Sequence, residues 1–358
     1  MKPKTKVLVA MSGGVDSSVA ALLMKKKGYD VVGGFMKNWS RTKEDFGECT
    51  WKGEWKIAQK IANKLDIPIM IFDFEKQYRK EVVDEMFKLY KQGITPNPDV
   101  DCNQKIKFPL MIKEAKKIGA KYLVTGHFAR TKKGKMFRAK DESKDQSYFL
   151  YRLSPEELKH TLFPMGKYTK KQIRDIAKKH KFPNHDKKST VGICFIGKIN
   201  VKDFLKKRIK PKKGNILNPI GEIIGQHDGI YYYTIGQRLG PRYGFEVERG
   251  KGGKLKRWYV ARKSLEKNTI IAAPEGHPLN YRKIIYVNNV HWINKTPRSG
   301  RVYSRIRQVG ELLPSKLTKQ GKRYKIILKK PITGVSQGQA IVLYRGKKVL
   351  GGGVIDFR

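Results

Sequence analysis

Two kinds of residue in this 358-residue sequence stand where their types and spacing could do chemistry. The first is the run Ser12-Gly13-Gly14-Val15-Asp16-Ser17-Ser18. Adjacent glycines let backbone N–H groups approach a phosphate closely, three serines add hydroxyl donors, and a following helix contributes the positive end of its dipole. The run reads as an anion cradle. It lacks the Gly-Lys-Ser/Thr ending of a Walker A loop and the Gly-x-Gly-x-x-Gly of dinucleotide binders. The second kind is cysteine. Thr95-Pro96-Asn97-Pro98-Asp99-Val100-Asp101-Cys102-Asn103 reads as a rigid polar loop followed by a helix. That places Cys102 beside a positively polarised helix start and biases it toward thiolate, the reactive form. Cys194 lies in Ser189-Thr190-Val191-Gly192-Ile193-Cys194-Phe195-Ile196-Gly197, a short apolar strand bracketed by glycines. Taken singly, each cysteine is explained as well by a small buried hydrophobe, and Cys49 keeps that explanation with no assigned role.

The elements that must position these groups follow from hydrophobic periodicity. Lys6–Met11 reads as a buried strand, and Val15–Lys27 as a helix that Gly28 stops. The alternation continues with a strand at Asp30–Met36, a helix at Glu54–Leu65, a strand at Pro68–Phe72, helices at Glu75–Gln92 and Gln104–Ile118, and a strand at Lys121–Thr125. Strands alternating with helices predict a parallel sheet covered on both faces, with the Ser12–Ser18 turn at the carboxyl end of its first strand, where ligands bind. A helical connector spans about 151–188, with Ser154-Pro155-Glu156-Glu157 and Thr169-Lys170-Lys171-Gln172 as helix starts. From about Gly214 the texture turns to Gly, Pro and Tyr with short β-prone runs at Gly229–Ile235, Trp258–Ala261 and Thr269–Ala272. Val302–Ile306, Arg323–Leu328, Gln339–Tyr344 and Val349–Ile355 then alternate as a small all-β module, a barrel. The expected organisation is an α/β N-terminal domain with a parallel sheet over 1–203, a small, mostly β central domain over 204–279, and a C-terminal β-barrel over 280–358.

Composition bounds the function classes. Seventy-eight Lys and Arg against 31 Asp and Glu give a formal charge of +47, while 39% hydrophobic residues are too many for a disordered basic tail. Such self-repulsion is easiest to understand if a polyanion is a usual partner, nucleic acid first among them; a lysine-rich habitat accounts for the sign equally well. No run approaches the 18 or so apolar residues that cross a bilayer, and the opening apolar stretch is too short for a signal peptide. The expectation is a soluble cytoplasmic protein with no membrane partner. Three widely spaced cysteines form neither a disulfide framework nor a zinc-ribbon spacing.

The Ser-Gly-Gly-Val-Asp-Ser-Ser loop after an N-terminal strand resembles that of the pyrophosphate-loop ATPases, which split ATP between the α and β phosphates and adenylate a substrate oxygen. The resemblance narrows with the run from Pro96 to Asn103, Gly126-His127-Phe128-Ala129-Arg130, Lys144–Leu150, the Cys194 segment and Tyr231–Arg238. In order and over nearly the whole chain, these resemble the bacterial and mitochondrial tRNA-specific 2-thiouridylases. The resemblance implies an adenine nucleotide α-hydrolase-like fold for the first domain and thiolation of carbon 2 of the wobble uridine in tRNAs for Lys, Glu and Gln.

Carried over by position, it implies that ATP lies on Ala10, Met11, Ser12, Gly13, Gly14, Val15, Asp16 and Ser17, with Met36 and Gly126 near the nucleoside and Mg²⁺ on the phosphates. Cys194 would take a sulfane sulfur from a relay protein or cysteine desulfurase. Cys102 would then resolve it through a transient disulfide, with Asp99 as general acid or base. Asn97, Pro98 and Asp99 would meet the target base; His127, Lys144, Asp145, Gln146, Arg305, Ile306 and Gln339 would meet the tRNA. Ile306 stands where the family pattern has an aromatic, and a basic stretch at Glu248–Lys256 departs from it as an insertion suited to phosphates. Three alternatives remain at this point. One is another pyrophosphate-loop ligase, of the amidotransferase or lysidine type. Another is an RNA-binding protein without catalysis. The third is an iron–sulfur thiolase with Asp99, Cys102 and Cys194 as cluster ligands.

Overall fold

The computed structural model describes residues 3–40, 50–188, 200–240, 257–308, 310–321 and 323–357. Its first sheet is parallel, in the order β3-β2-β1-β4-β7, from β1 (Lys6–Ala10), β2 (Asp30–Lys37), β3 (Ile69–Asp73), β4 (Tyr122–Val124) and β7 (Thr161–Leu162). Val7, Leu8 and Val9 are fully buried, as the unbroken apolar run predicts for a strand covered on both faces. Helix α1 (Val15–Lys26) crosses from β1 to β2, and the Thr50–Lys64 helix from β2 to β3. Both connector helices begin where read, each with a full capping box: Ser154 with Glu157, and Thr169 with Gln172.

One deviation from the sequence reading is the helix expected at Gln104. It starts six residues earlier, as Pro98–Asp101, a π-helical Cys102–Lys107 and Phe108–Lys117 in succession. Asn97 caps it by accepting from the Val100 N–H, and Pro98 occupies the first helical position, where its missing N–H costs nothing. Cys102 therefore sits in the second turn, not before the first, and is buried.

The second sheet, in the order β10-β11-β12-β8-β9, is built from β8 (Gly214–Leu217), β9 (Ile223–His227), β10 (Arg238–Leu239), β11 (Trp258–Ser264) and β12 (Thr269–Pro274). Gly229–Ile235, expected as a strand, instead holds a 3₁₀ turn at Ile230–Tyr232. Tyr232 and its neighbour Tyr233 are both buried, which a strand with one covered face cannot achieve for consecutive residues.

The third sheet is a six-stranded antiparallel barrel, β13-β16-β15-β14-β17-β18, closed by pairing of β13 with β18. Its strands are β13 (Tyr281–Trp292), β14 (Gly300–Arg305), β15 (Leu313–Gln320), β16 (Arg323–Thr333), β17 (Ala340–Arg345) and β18 (Lys348–Asp356). Ile285, Val287, Leu317, Ile326, Ile341 and Ile355 fill its interior. A hairpin from the first domain, β5 (Ala129–Lys132) and β6 (Lys135–Arg138), joins this sheet at β18. No helix among the described residues is long and apolar enough to cross a membrane.

Candidate active site

Strand β1 lies between β2 and β4, so chain order reverses at the β1/β4 crevice, and ligands of parallel sheets bind outside such a crevice at the carboxyl ends. Ser12–Ser18 leaves β1 at that edge. Gly13 adopts φ +70°, a conformation open to glycine at no steric cost, and Gly14 is the N-cap of α1 with no side-chain cap on the helix start. The loop is braced internally: the Ser17 and Ser18 hydroxyls each donate to the Gly14 carbonyl at 3.0 Å, and the Ser12 N–H donates to Ser17 Oγ at 3.2 Å.

Residues distant in sequence seal it. Asn184 Nδ2 donates to the Gly13 carbonyl at 2.9 Å and to Ser18 Oγ at 3.1 Å. Lys170 Nζ pairs with Asp16 at 2.5 Å, offsetting a carboxylate that would repel an anion at the helix start. Lys187 pairs with Glu54, whose backbone crowds Gly13: a Cβ there would lie 2.6 Å from the Glu54 carbonyl oxygen. From the opposite strand, Gly126 packs so tightly that a Cβ would stand 2.7 Å from the Ser17 nitrogen. Nothing in the local sequence around Asn184, Lys170, Glu54 and Lys187 marks a contact with this loop, which lies dozens of residues away.

The remaining nucleotide candidates share this edge. Ala10 pairs with Gly34 at the end of β1, Met11 and Val15 are buried, and half-buried Met36 lies near the carboxyl end of β2. A helix start without a side-chain cap, a paired Asp16 and glycines at the points of closest approach fit a polyphosphate. The described residues hold no cluster of three His, Cys, Asp or Glu side chains able to bind a metal.

Cys102 belongs to the helical run Pro98–Lys117, which packs on β1 and β4 through its Phe108–Lys117 part. Cys102 is 2% exposed at the start of the π-helical turn, a distortion frequent at functional sites. Asp99 lies in the first turn with Asp101, whose carboxyl burial pushes up. Farther along, the Phe108 ring stacks on His127 at 5.8 Å, and Phe163 meets the same imidazole edge-on. Burial, helped by Lys107, holds His127 well below the ordinary imidazole range, so it is neutral at physiological pH, and Thr125 Oγ1 lies 2.8 Å from its Nδ1. Cys194 and Cys49 lie outside the described residues, as does the 248–256 stretch.

The side chains expected on the tRNA divide. Lys144 is exposed, and Asn97 and Pro98 are half-buried at the helix start. Asp145, Arg305 and Ile306 are buried. The Asp145 carboxylate accepts from Arg305 Nη1, Ser147 Oγ and the Ala139 N–H, each at 2.8 Å. Ile306 belongs to the barrel core, so an apolar residue where an aromatic was expected is explained by packing. Gln146 Oε1 accepts from the Phe128 N–H at 2.9 Å, and Gln339 Nε2 donates to the Thr95 and Pro96 carbonyls at 2.9 and 3.0 Å.

Family models match consecutive stretches of the chain: a "tRNA methyl transferase HUP domain" over residues 5–198, a "tRNA methyl transferase PRC-barrel domain" over 202–274, and an "Aminomethyltransferase beta-barrel domain" over 282–355. The tRNA-specific 2-thiouridylase MnmA of Bacillus subtilis is 41% identical over 98% of this chain and 95% of its own. That of Coxiella burnetii is 40% identical over 98% of both. A solved structure, the U34-tRNA thiolase NcsA of Methanococcus maripaludis with its 4Fe–4S cluster, is 20% identical over 57% of this chain and 68% of its own, with a TM-score of 0.37. With about 40% identity over 98% of its length, the chain belongs to the tRNA-specific 2-thiouridylase family.

Proposed function

We propose that this protein is an ATP-dependent tRNA sulfurtransferase that replaces the oxygen on carbon 2 of the wobble uridine with sulfur, in tRNAs for Lys, Glu and Gln. One observation carries the reading: Gly126-His127 forms a common wall between the two chemical centres. Gly126 abuts the Ser12–Ser18 loop, and His127 abuts Phe108 on the helix that bears Asp99 and Cys102. On this reading, nucleotide activation and thiol chemistry would lie on either side of that wall.

The steps balance as follows. The uridine oxygen attacks the α-phosphorus of ATP, pyrophosphate leaves, and a poor leaving oxygen becomes part of a good one, AMP. A persulfide on Cys194, loaded by a relay protein or cysteine desulfurase, attacks carbon 2 with its terminal sulfur and displaces AMP. The Cys102 thiolate then attacks the Cys194 sulfur. The bond from that sulfur to the transferred one breaks, a Cys102–Cys194 disulfide forms, and the electron pair leaves with the 2-thiouridine. A two-electron reductant restores both thiols. Asp99, one turn before Cys102, would serve as the general acid or base. Mg²⁺ on the phosphates would offset charge as pyrophosphate departs. The charge of +47 suits a polyanionic substrate.

The test is mass spectrometry of wobble uridines in a thiolation-deficient host supplied with this gene, alongside release of AMP by the purified protein. Recovery of the 2-thio mass, lost in Cys102→Ser and Cys194→Ser, supports the reading. Full thiolation by Cys102→Ser would overturn the resolving role, and activity that depends on bound iron would overturn the persulfide.

A further inference from the structure

The Tyr231–Arg238 motif takes no part in the chemistry above, yet it reaches the segment that carries it. Ile94-Thr95-Pro96 leads straight into the helix of Asp99 and Cys102, and the other two sheets grip it from separate turns. From the central domain, Thr234 Oγ1 lies 3.1 Å from Thr95 Oγ1. From the barrel, Gln337 accepts the Thr95 N–H at 3.3 Å on its carbonyl, and the Gln339 amide spends its protons on the Thr95 and Pro96 carbonyls. Between them, Gly338 at φ +89° lies so close that a Cβ would stand 2.2 Å from Ile94 Cγ2.

The two gripping turns also meet each other. Gly236, at φ +86°, leaves room for the backbone of Gly334: a Cβ would lie 2.5 Å from its Cα. The Thr234 turn is itself fixed. Gln237 Oε1 accepts from the Thr234 N–H at 3.0 Å, the Gly236 N–H donates to Val260 at 2.8 Å, and Lys263 Nζ donates to the Tyr233 carbonyl at 2.7 Å. Thr95 is 7% exposed inside this grip.

We propose that Thr234 and Gln339 are positioning residues for Asp99 and Cys102: together they set the entry of the helix, so that the seating of the barrel on the first domain is felt at the thiol. Neither residue touches the reacting atoms. The polar contacts to Thr95 and Pro96 act on the only backbone that enters the helix, and a displacement of about 1 Å at a reacting group is enough to cost orders of magnitude in rate. The inference rests on the sulfurtransferase reading for its kinetic half only.

Thr234→Val keeps shape and removes the hydroxyl; Gln339→Leu removes both amide donors; Thr234→Ser is the conservative control. Each loss variant is expected to lower kcat for thiolation about tenfold with KM for ATP and tRNA within about twofold, and the serine variant to restore it. A second readout needs no activity: the rate of Cys102 alkylation by iodoacetamide in a Cys49→Ser, Cys194→Ser background. Loosening the grip is expected to speed it about tenfold without lowering the melting temperature enough to populate unfolded chain. Unchanged kcat and unchanged alkylation in both loss variants would overturn the proposal. So would a raised KM for tRNA at constant kcat in Gln339→Leu, which would make Gln339 a tRNA contact instead. If the unsubstituted protein thiolates nothing, the sulfurtransferase reading fails, and the alkylation rates still decide the grip.

Discussion

Asn184 holds the Gly13 carbonyl at 2.9 Å through its side-chain amide, tying the far end of the first domain to the loop beside the first strand. The same amide reaches Ser18 Oγ, and Asn184 is 2% exposed. Removing a buried donor leaves its acceptors stranded, at a cost of about 1–3 kcal/mol. Asn184→Ala is therefore expected to raise the KM for ATP about tenfold, since 1.4 kcal/mol corresponds to one decade. Steady-state ATP titration together with urea denaturation separates the loop effect from general destabilisation.

Gly126→Ala tests the other side of the cradle. The added methyl meets the Ser17 nitrogen and the Asp16 carbonyl carbon at 2.7 and 2.9 Å, and backbone has no rotamer by which to retreat. Overpacking of this kind costs about 1–3 kcal/mol and here must displace the phosphate loop. Expected is a loss of ATP binding by at least about tenfold in equilibrium dialysis, with tRNA binding retained.

Arg305 and Asp145 form an ion pair at 2.8 Å with side chains 4% and 0% exposed. Arg305→Ala removes the nearer of two guanidinium groups at this carboxylate, since Arg138 Nε stands 3.8 Å from the same oxygen, so the loss is expected to fall below the about 3–5 kcal/mol of a buried charge left with no partner. Denaturant titration should show that loss. The salt dependence of tRNA affinity should keep its slope, whereas a residue that contacts a phosphate would lower it by about one.

Lys263 supplies a pH signature. Burial pulls its ammonium down to about 8, against 10.5 for the ordinary side chain. Between those values the unfolded chain binds more protons than the native one, so stability rises with pH through this window. Below pH 8 the fold carries the full cost of the buried charge, on the order of 3 kcal/mol. The stability of the protein relative to Lys263→Met is thus expected to climb between pH 7.5 and 10.5, as followed by denaturant midpoints; a flat difference would place the ammonium in water.

Much of the first domain was legible because its signals are local. The buried strand Lys6–Ala10 and the capping boxes at Ser154 and Thr169 each encode their element within a few residues. Asn97 and Pro98 were equally legible signals for an early helix start, but the polar loop reading absorbed them, and Cys102 was placed a turn too early. The β5–β6 hairpin is marked by Gly134 alone, at φ +67°, because the first turn position holds Lys133 at φ +50°, where asparagine or glycine would have completed the signal. Strand β13 hid behind Asn288-Asn289, with Asn289 at φ +46° inside an irregular stretch of pairing. At the candidate site, the Ser12–Ser18 loop was plain, whereas its sealing partners and the burial of Asp145, Arg305 and Ile306 depend on contacts across more than a hundred residues in most cases, which no local pattern encodes.

The joint between the barrel and the first domain limits how this protein can be taken apart. The Tyr148 hydroxyl donates to the carbonyls of Ile306 and Ala340, and Asp145 answers Arg305, so the barrel owes part of its interior solvation to residues before position 150. A barrel excised near residue 280 would inherit a guanidinium without its counter-ion and would lose the one hydroxyl proton that two of its carbonyls share. It is thus a poor candidate for a portable RNA-binding cassette. A gene fusion that borrowed it would have to carry along the Asp145–Tyr148 strip as well.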